Sequence, residues 1–223
     1  MIDPADNFRK IRESIPDHVV ILAAAKTRSA GEIEPLIDAG LTDIGENYVQ
    51  EAETVRRALG EKGNRLTWHM IGHVQTNKIN KSLALFDVIQ TVESAEKARA
   101  IDLRAERLGM TVSVLIEVNI GGEHSKSGAA AELDTIEGIV RDASRLSHLR
   151  VKGLMTMGPL TARAEDLRPY FRKTKVLYDQ LGSMAIPGVS MDRLSMGMSD
   201  SFRVAIEEGA NMVRLGTIIF GPR

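Results

Sequence analysis

Lys26 closes a nearly continuous apolar run, HVVILAAAK, from His18 to Lys26. A strand buried on both faces reads this way, and a charged lysine is costly to bury at its end. Burial lowers an amine's pKa and frees its lone pair for attack on a carbonyl. The plain alternative is a lysine that has reached solvent. Far along the chain, SMGMSDSF places Ser195, Gly197 and Ser199 just ahead of an expected helix. Backbone N–H groups and hydroxyls there suit a phosphate, although Ser199 and Asp200 also read as helix caps. RLGT sets Gly216 and Thr217 on the next strand, beside Arg214. That arginine could face a pyridine nitrogen or form an interior salt bridge with Glu117 or Glu46. A lysine able to form an imine, a phosphate cup and a cation for the ring nitrogen are together the parts of a pyridoxal 5'-phosphate (PLP) site.

Other patterns carry less. His69 and His73 have the i, i+4 spacing of a helical metal pair, but they straddle a strand end and Gly72. GGEHSKSG lacks the Gly-Lys-Ser/Thr order of a phosphate loop, and LGMTVSVLIEVNIGG lacks the G-x-G-x-x-G of a dinucleotide site. Arg56, Arg57, Lys78 and Lys81 read as solvated helix faces.

These residues need strands and turns to hold them. The apolar runs predict strands at 18–26, 41–47, 65–72, 86–92, 111–120, 149–158, 191–197 and 210–217. Amphipathic stretches follow the first seven: 31–40, 48–60, 76–86, 94–109, 130–146, 163–182 and 199–209. Asn47 is expected to cap the second of these helices and Ser94 to open the fourth; Pro169 implies a kink or a helix that starts in pieces. The expected fold is α/β, a single (β/α)₈ TIM barrel over residues 1–223 with an extra N-terminal helix; an open doubly wound sheet is the alternative. In such barrels the C-terminal strand ends carry the site. That rule selects Lys26, Glu46, Asn47, His69, His73, Asn119, Met155 to Met157, Ser195, Arg214, Gly216 and Thr217.

The 223 residues include no cysteine and carry a formal net charge of −1. Disulfides, thiolate nucleophiles and cysteine metal sites are excluded. The charge balance gives no support for nucleic acid or an anionic membrane as partner. No stretch approaches the roughly 18 apolar residues of a membrane span, and the first residues do not read as a secretory signal. A cytoplasmic protein is expected.

The segments AAAKTRS, IGENYVQE, WHMIGHVQTNK, EVNIGGEHSKSG, GLMTMGP, and LSMGMSDSF with VRLGTIIFG span nearly the whole chain. In them the chain resembles the pyridoxal phosphate homeostasis protein family, also called the YggS or PROSC family. The resemblance implies a barrel like the N-terminal domain of alanine racemase, with PLP as a Schiff base on Lys26. It places Asn47 near the cofactor ring. It puts Ser195, Met196, Gly216 and Thr217 at the phosphate and Arg214 at the pyridine nitrogen. His69 and Met155 fall near the pocket. Two departures stand out: KTRSAGE lacks the proline expected soon after the lysine, and His124 stands where an acidic residue is expected.

The resemblance implies a PLP carrier or buffer that supplies apo-enzymes, as a monomer or a weak dimer. Alanine racemase takes a second base, a tyrosine, from an additional β domain of a partner subunit. Here the chain ends about six residues after the last strand, and Tyr48, Tyr170 and Tyr178 all fall in expected helices. A weak amino-acid racemase, with His69 or a lysine as second base, is the alternative. A Schiff-base aldolase on a phosphate-binding barrel is a third reading.

Overall fold

In the computed structural model, residues 3–123, 127–159 and 163–222 are described; His124 lies outside them. Helix α1 (Pro4–Ser14) precedes the first strand, β1 (Val20–Ala24), and Asp3 caps it by accepting from the Ala5 and Asp6 amides. The chain then alternates: α2 (Ala30–Asp38), β2 (Asp43–Glu46), α3 (Val49–Leu59), β3 (Thr67–Met70), α4 (Ile79–Leu85), β4 (Val88–Val92), α5 (Ala95–Arg107) and β5 (Val112–Asn119). It continues with β6 (Ala129–Ala130), α6 (Leu133–Ser144), β7 (Leu149–Thr156), α7 (Arg168–Ser183), β8 (Val189–Met198), α8 (Phe202–Glu207), β9 (Met212–Leu215) and α9 (Thr217–Phe220).

All pairings are parallel, in the order β4-β3-β2-β1-β9-β8-β7-β5, and β4 pairs with β5 to close the ring. The eight-stranded barrel is therefore closed, and the doubly wound alternative falls. The two-residue β6 adds to the end of β5 through Val118 and Asn119.

Strand alternation sorts side chains between two cores. Leu22 and Met212 pack with Ile71, Val20 and Ala24 inside the barrel. Ile21, Ala23, Ile44, Trp68 and Val213 face the helices in a much larger cluster. Gly45 is required by this interior, since a Cβ there would stand 2.4 Å from the Leu22 side chain.

Several boundaries differ from the sequence reading. Ser94 opens α5 as expected, its hydroxyl accepting from the Lys97 amide. Asn47 does not cap α3; Tyr48 occupies that position with extended backbone and makes no side-chain cap. Pro169 sits in the first turn of α7, where its missing N–H costs nothing, and a 3-10 turn at Ala164–Leu167 precedes it. The expected helix over 76–86 is a 3-10 turn followed by α4. Among the described residues no helix is long and apolar enough to cross a membrane.

Candidate functional site

Lys26 lies two residues beyond β1, half-buried at the C-terminal mouth of the barrel. Its Nζ stands 5.3 Å from the centre of the Tyr48 ring. Tyr48 is half exposed at this mouth and outside any helix, contrary to the sequence reading. The next residue, Thr27, has φ 66°. A β-branched residue in the left-handed region is strained, and such strain clusters at functional sites. The Thr27 amide donates to Glu51 Oε2 at 2.9 Å. Arg28 then donates to the Gly221 carbonyl and pairs with Glu32. The turn that presents the lysine is thus tied to α3 on one side and to the C-terminal segment on the other.

Arg214 stands on the neighbouring strand, in register with Leu22 of β1, and is almost wholly buried. Desolvation pulls its pKa down to about 10, against the pull of Glu117. Among the described residues no carboxylate lies within ion-pair distance of it. Nη1 donates to the Ser195 carbonyl and hydroxyl at 2.9 and 2.8 Å, and Nη2 to the Thr156 carbonyl at 2.8 Å. Three of the five N–H donors of a guanidinium are thereby used. The Nε edge keeps two, a suitable face for an aromatic ring nitrogen. Met155, fully buried on β7, is paired in register with both Glu117 and Ser195. Burial, reinforced by Glu93 and opposed by Arg214, raises the Glu117 carboxyl to about 7.

The loops after β8 and β9 meet at the same mouth. Gly197 has φ 90°, and a Cβ on it would stand 2.5 Å from the Ala205 side chain, so only glycine turns the chain into α8. Ser199 Oγ accepts from the amides of Gly216 and Ile218 at 3.0 and 3.4 Å. Those N–H groups open toward an oxygen, which is what a phosphate would supply. Gly216 sits level with Ala24, to whose carbonyl a Cβ would come within 3.4 Å. Thr217 is exposed beside it. Met196 is buried and packs outward against the helices, so only its backbone faces this mouth.

Two expected residues lie elsewhere. The Ser195 hydroxyl points into the barrel, where it donates to Gln90 Oε1 at 2.8 Å; Ser199 is the hydroxyl at the loops. His69 is not at the C-terminal mouth. As an inward-facing residue of β3 it lies below it, bonded through Nε2 to Asp43 and through Nδ1 to Gln90, both at 2.9 Å. It lines a cavity of about 350 Å³ at the opposite end, with Asp43, Thr67, Ser113, Lys152 and Arg193. Asn47 remains at the C-terminal mouth, held by Gly72, where a Cβ would collide with the Asn47 carbonyl at 2.3 Å. Asn119 donates to the Glu123 carbonyl. Glu46 faces away from the interior and is fully buried, with neither carboxylate oxygen bonded. Burial, then repulsion from Glu51, raises its pKa to about 8. Among the described residues no cluster of His, Asp and Glu could hold a metal.

Gln90, Thr156 and Thr27 escaped the sequence reading, and Tyr48 enters it only as a residue of an expected helix. Gln90 left a signal: it is the lone amide within the apolar strand FDVIQTV. Thr156 contributes only a carbonyl, and Thr27 only a backbone angle, which no side chain announces.

The family model of the alanine racemase N-terminal domain matches residues 4–223. A pyridoxal phosphate homeostasis protein of Aquifex aeolicus is 40% identical over 203 residues, covering 91% of this chain and 86% of that protein. The protein of that name from Escherichia coli K12 is 36% identical, covering 100% and 98%. Among solved structures, PipY of Synechococcus elongatus superposes without PLP at a TM-score of 0.90, with 31% identity over 97% of this chain and 99% of that one. With PLP bound it superposes at 0.88, with 29% identity over 98% and 100%.

Proposed function

The chain belongs to the alanine racemase N-terminal domain family and, within it, to the pyridoxal phosphate homeostasis proteins, and from that premise we propose that it binds pyridoxal 5'-phosphate as an intracellular carrier of the cofactor. The observation that carries this reading is the placing of three groups at or just past the ends of two paired strands, β1 and β9, at one barrel mouth. These are the Lys26 amine, the open Nε edge of Arg214 and the amides of Gly216 and Ile218. They match the aldehyde, the pyridine nitrogen and the phosphate of PLP in turn.

Bound PLP would supply a reactive aldehyde and an electron-accepting ring. Lys26 would supply the amine that holds the aldehyde covalently. Arg214, still protonated at neutral pH with its pKa at about 10, would donate a hydrogen bond to the ring nitrogen and leave that nitrogen unprotonated. An unprotonated ring is a poor electron sink, which suits storage better than turnover. Asn47 and Met155 would border the ring. The Gly216 and Ile218 amides would hold the phosphate, with the Ser199 hydroxyl turned from accepting those amides to donating to it, and Thr217 would add a hydroxyl. The carrier acts in the cytoplasm, as a monomer or a weak dimer, and hands PLP to apo-enzymes that require it.

Incubation with PLP, borohydride reduction and peptide mapping test this directly. One equivalent is expected on Lys26, and Lys26→Ala is expected to lose the adduct while unfolding near the wild-type temperature. A stoichiometric adduct on another lysine in that variant would refute the assignment.

A weak PLP-dependent racemase is the second reading, favoured by the phenol ring of Tyr48 beside Lys26. Exchange of an amino acid's α-proton for solvent deuterium, lost in Tyr48→Phe, would establish it. Its absence in the wild type leaves the carrier.

A further inference from the structure

A single line of side chains crosses the barrel interior from Arg214 to Asp43. Arg214 Nη1 donates to Ser195 Oγ at 2.8 Å. Ser195 Oγ donates to Gln90 Oε1 at 2.8 Å. Gln90 Nε2 reaches His69 Nδ1 at 2.9 Å and Met212 Sδ at 3.3 Å. His69 Nε2 meets Asp43 Oδ1 at 2.9 Å. Arg214, Ser195, Gln90 and His69 are buried, and Asp43 is largely so.

The direction of each bond follows from its neighbour. An amide NH₂ can only donate, so His69 Nδ1 is the bare nitrogen and Nε2 carries the proton given to Asp43. The Gln90 carbonyl oxygen is then turned to Ser195 and must accept. Ser195 spends its one hydrogen there, and its lone pairs face Arg214. Every bond points the same way, from a buried cation to a carboxylate. Bonds aligned head to tail in a low-dielectric interior polarise one another. Asp43 suits its end: burial opposes its charge, yet bonds from His69 and Thr42 hold its carboxyl below the usual range.

We propose that Asp43, His69 and Gln90 are positioning residues for Arg214, setting from the far end of the barrel the orientation of the guanidinium edge offered to the cofactor ring. This rests on the PLP reading for its consequence and on the apo-protein for its geometry. The Arg214 plane is fixed by three acceptors, of which the Ser195 hydroxyl is the one able to rotate. Without Gln90 that hydroxyl loses its acceptor and turns, and Nη1 loses a lone pair aimed at it. The ring nitrogen would then meet a displaced donor edge, and the colour of the bound cofactor reports on that nitrogen.

The cavity at the N-terminal mouth allows a rescue, because His69 lines it and it is wide enough for a free imidazole. Gln90→Met preserves volume and removes both amide functions. In the PLP-loaded protein, Gln90→Met and His69→Gly are expected to shift the absorption maximum and weaken retention by roughly two- to tenfold, the size of one neutral hydrogen bond. Millimolar imidazole is expected to restore His69→Gly but not Gln90→Met. In the apo-protein, ¹⁵N NMR of the imidazoles is expected to show one histidine, absent in His69→Gly, with bare Nδ1 and protonated Nε2, and Gln90→Met to abolish that preference. Failure of the wild type to take up PLP would remove the function proposed above and leave the NMR test standing. Wild-type spectra and affinity in both folded variants, a shift that imidazole does not reverse, or a His69 tautomer indifferent to Gln90→Met would each overturn the proposal.

Discussion

The two serines of SMGMS show how much one residue's depth decides. Sequence places Ser195 and Ser199 in one segment ahead of a helix, and the resemblance assigns Ser195 to the phosphate. On the strand, Ser195 faces inward to Gln90 and Arg214, while Ser199, past the strand end, reaches the Gly216 amide. Their alanine variants are therefore expected to fail differently. Ser199→Ala should raise the PLP dissociation constant by roughly tenfold or more, since a hydroxyl bond to a charged group is worth about 1.5–3 kcal/mol, with an unchanged visible spectrum. Ser195→Ala should displace the spectrum, because it acts through Arg214. Equilibrium titration and absorption spectra of the two variants separate these effects; identical behaviour would mean that the loops are not distinguished in this way. His69 depends on depth in the same way, standing one residue short of the end of β3 yet facing the opposite cavity. Sequence locates it near the end of a strand but cannot say how far each strand is staggered in the barrel.

At the level of elements the strands were legible because parallel strands buried on both faces are long apolar runs. The strand order was not, since the pairing of β4 with β5 depends on residues distant in sequence. Short features fared worst: β6 has two residues, and the turn after β1 is set by the backbone of Thr27. That turn also yields a prediction. A left-handed conformation costs a β-branched residue about 1–2 kcal/mol, and glycine adopts it freely. Thr27→Gly should therefore be neutral to stabilising by up to about 1 kcal/mol in thermal unfolding, unlike most threonine-to-glycine changes. Glu51→Ala removes the acceptor of the Thr27 amide and should destabilise by about 1 kcal/mol, with faster loss of PLP from Lys26. Destabilisation by Thr27→Gly comparable with that of Glu51→Ala would show that the turn stores no strain.

Over the whole molecule, buried carboxyls of opposite habit shape the response to pH. Asp43 has its pKa lowered, so it contributes stability above the usual carboxylate range that is lost as pH falls through its folded value. Glu46 and Glu117 do the reverse. Burial raises them to about 8 and about 7. In the unfolded chain both ionise near the ordinary glutamate pKa of about 4.3. Between that value and their folded values the native state binds more protons than the unfolded one, so stability falls as pH rises. Each contributes at most about 1.4 kcal/mol per pH unit across its own window, and the two add from about pH 4.3 to 7. The thermal midpoint is therefore expected to peak on the acid side of neutrality and to decline by pH 8.5. Glu46 is the better residue to probe, because neither of its oxygens is bonded. Glu46→Gln keeps the shape, cannot ionise, and should flatten the alkaline decline by a few kcal/mol while changing little at pH 5. Calorimetry of the apo-protein and of this variant from pH 4.5 to 9 decides the matter. Parallel curves would mean that Glu46 is solvated or paired in solution and that the alkaline limb has another source.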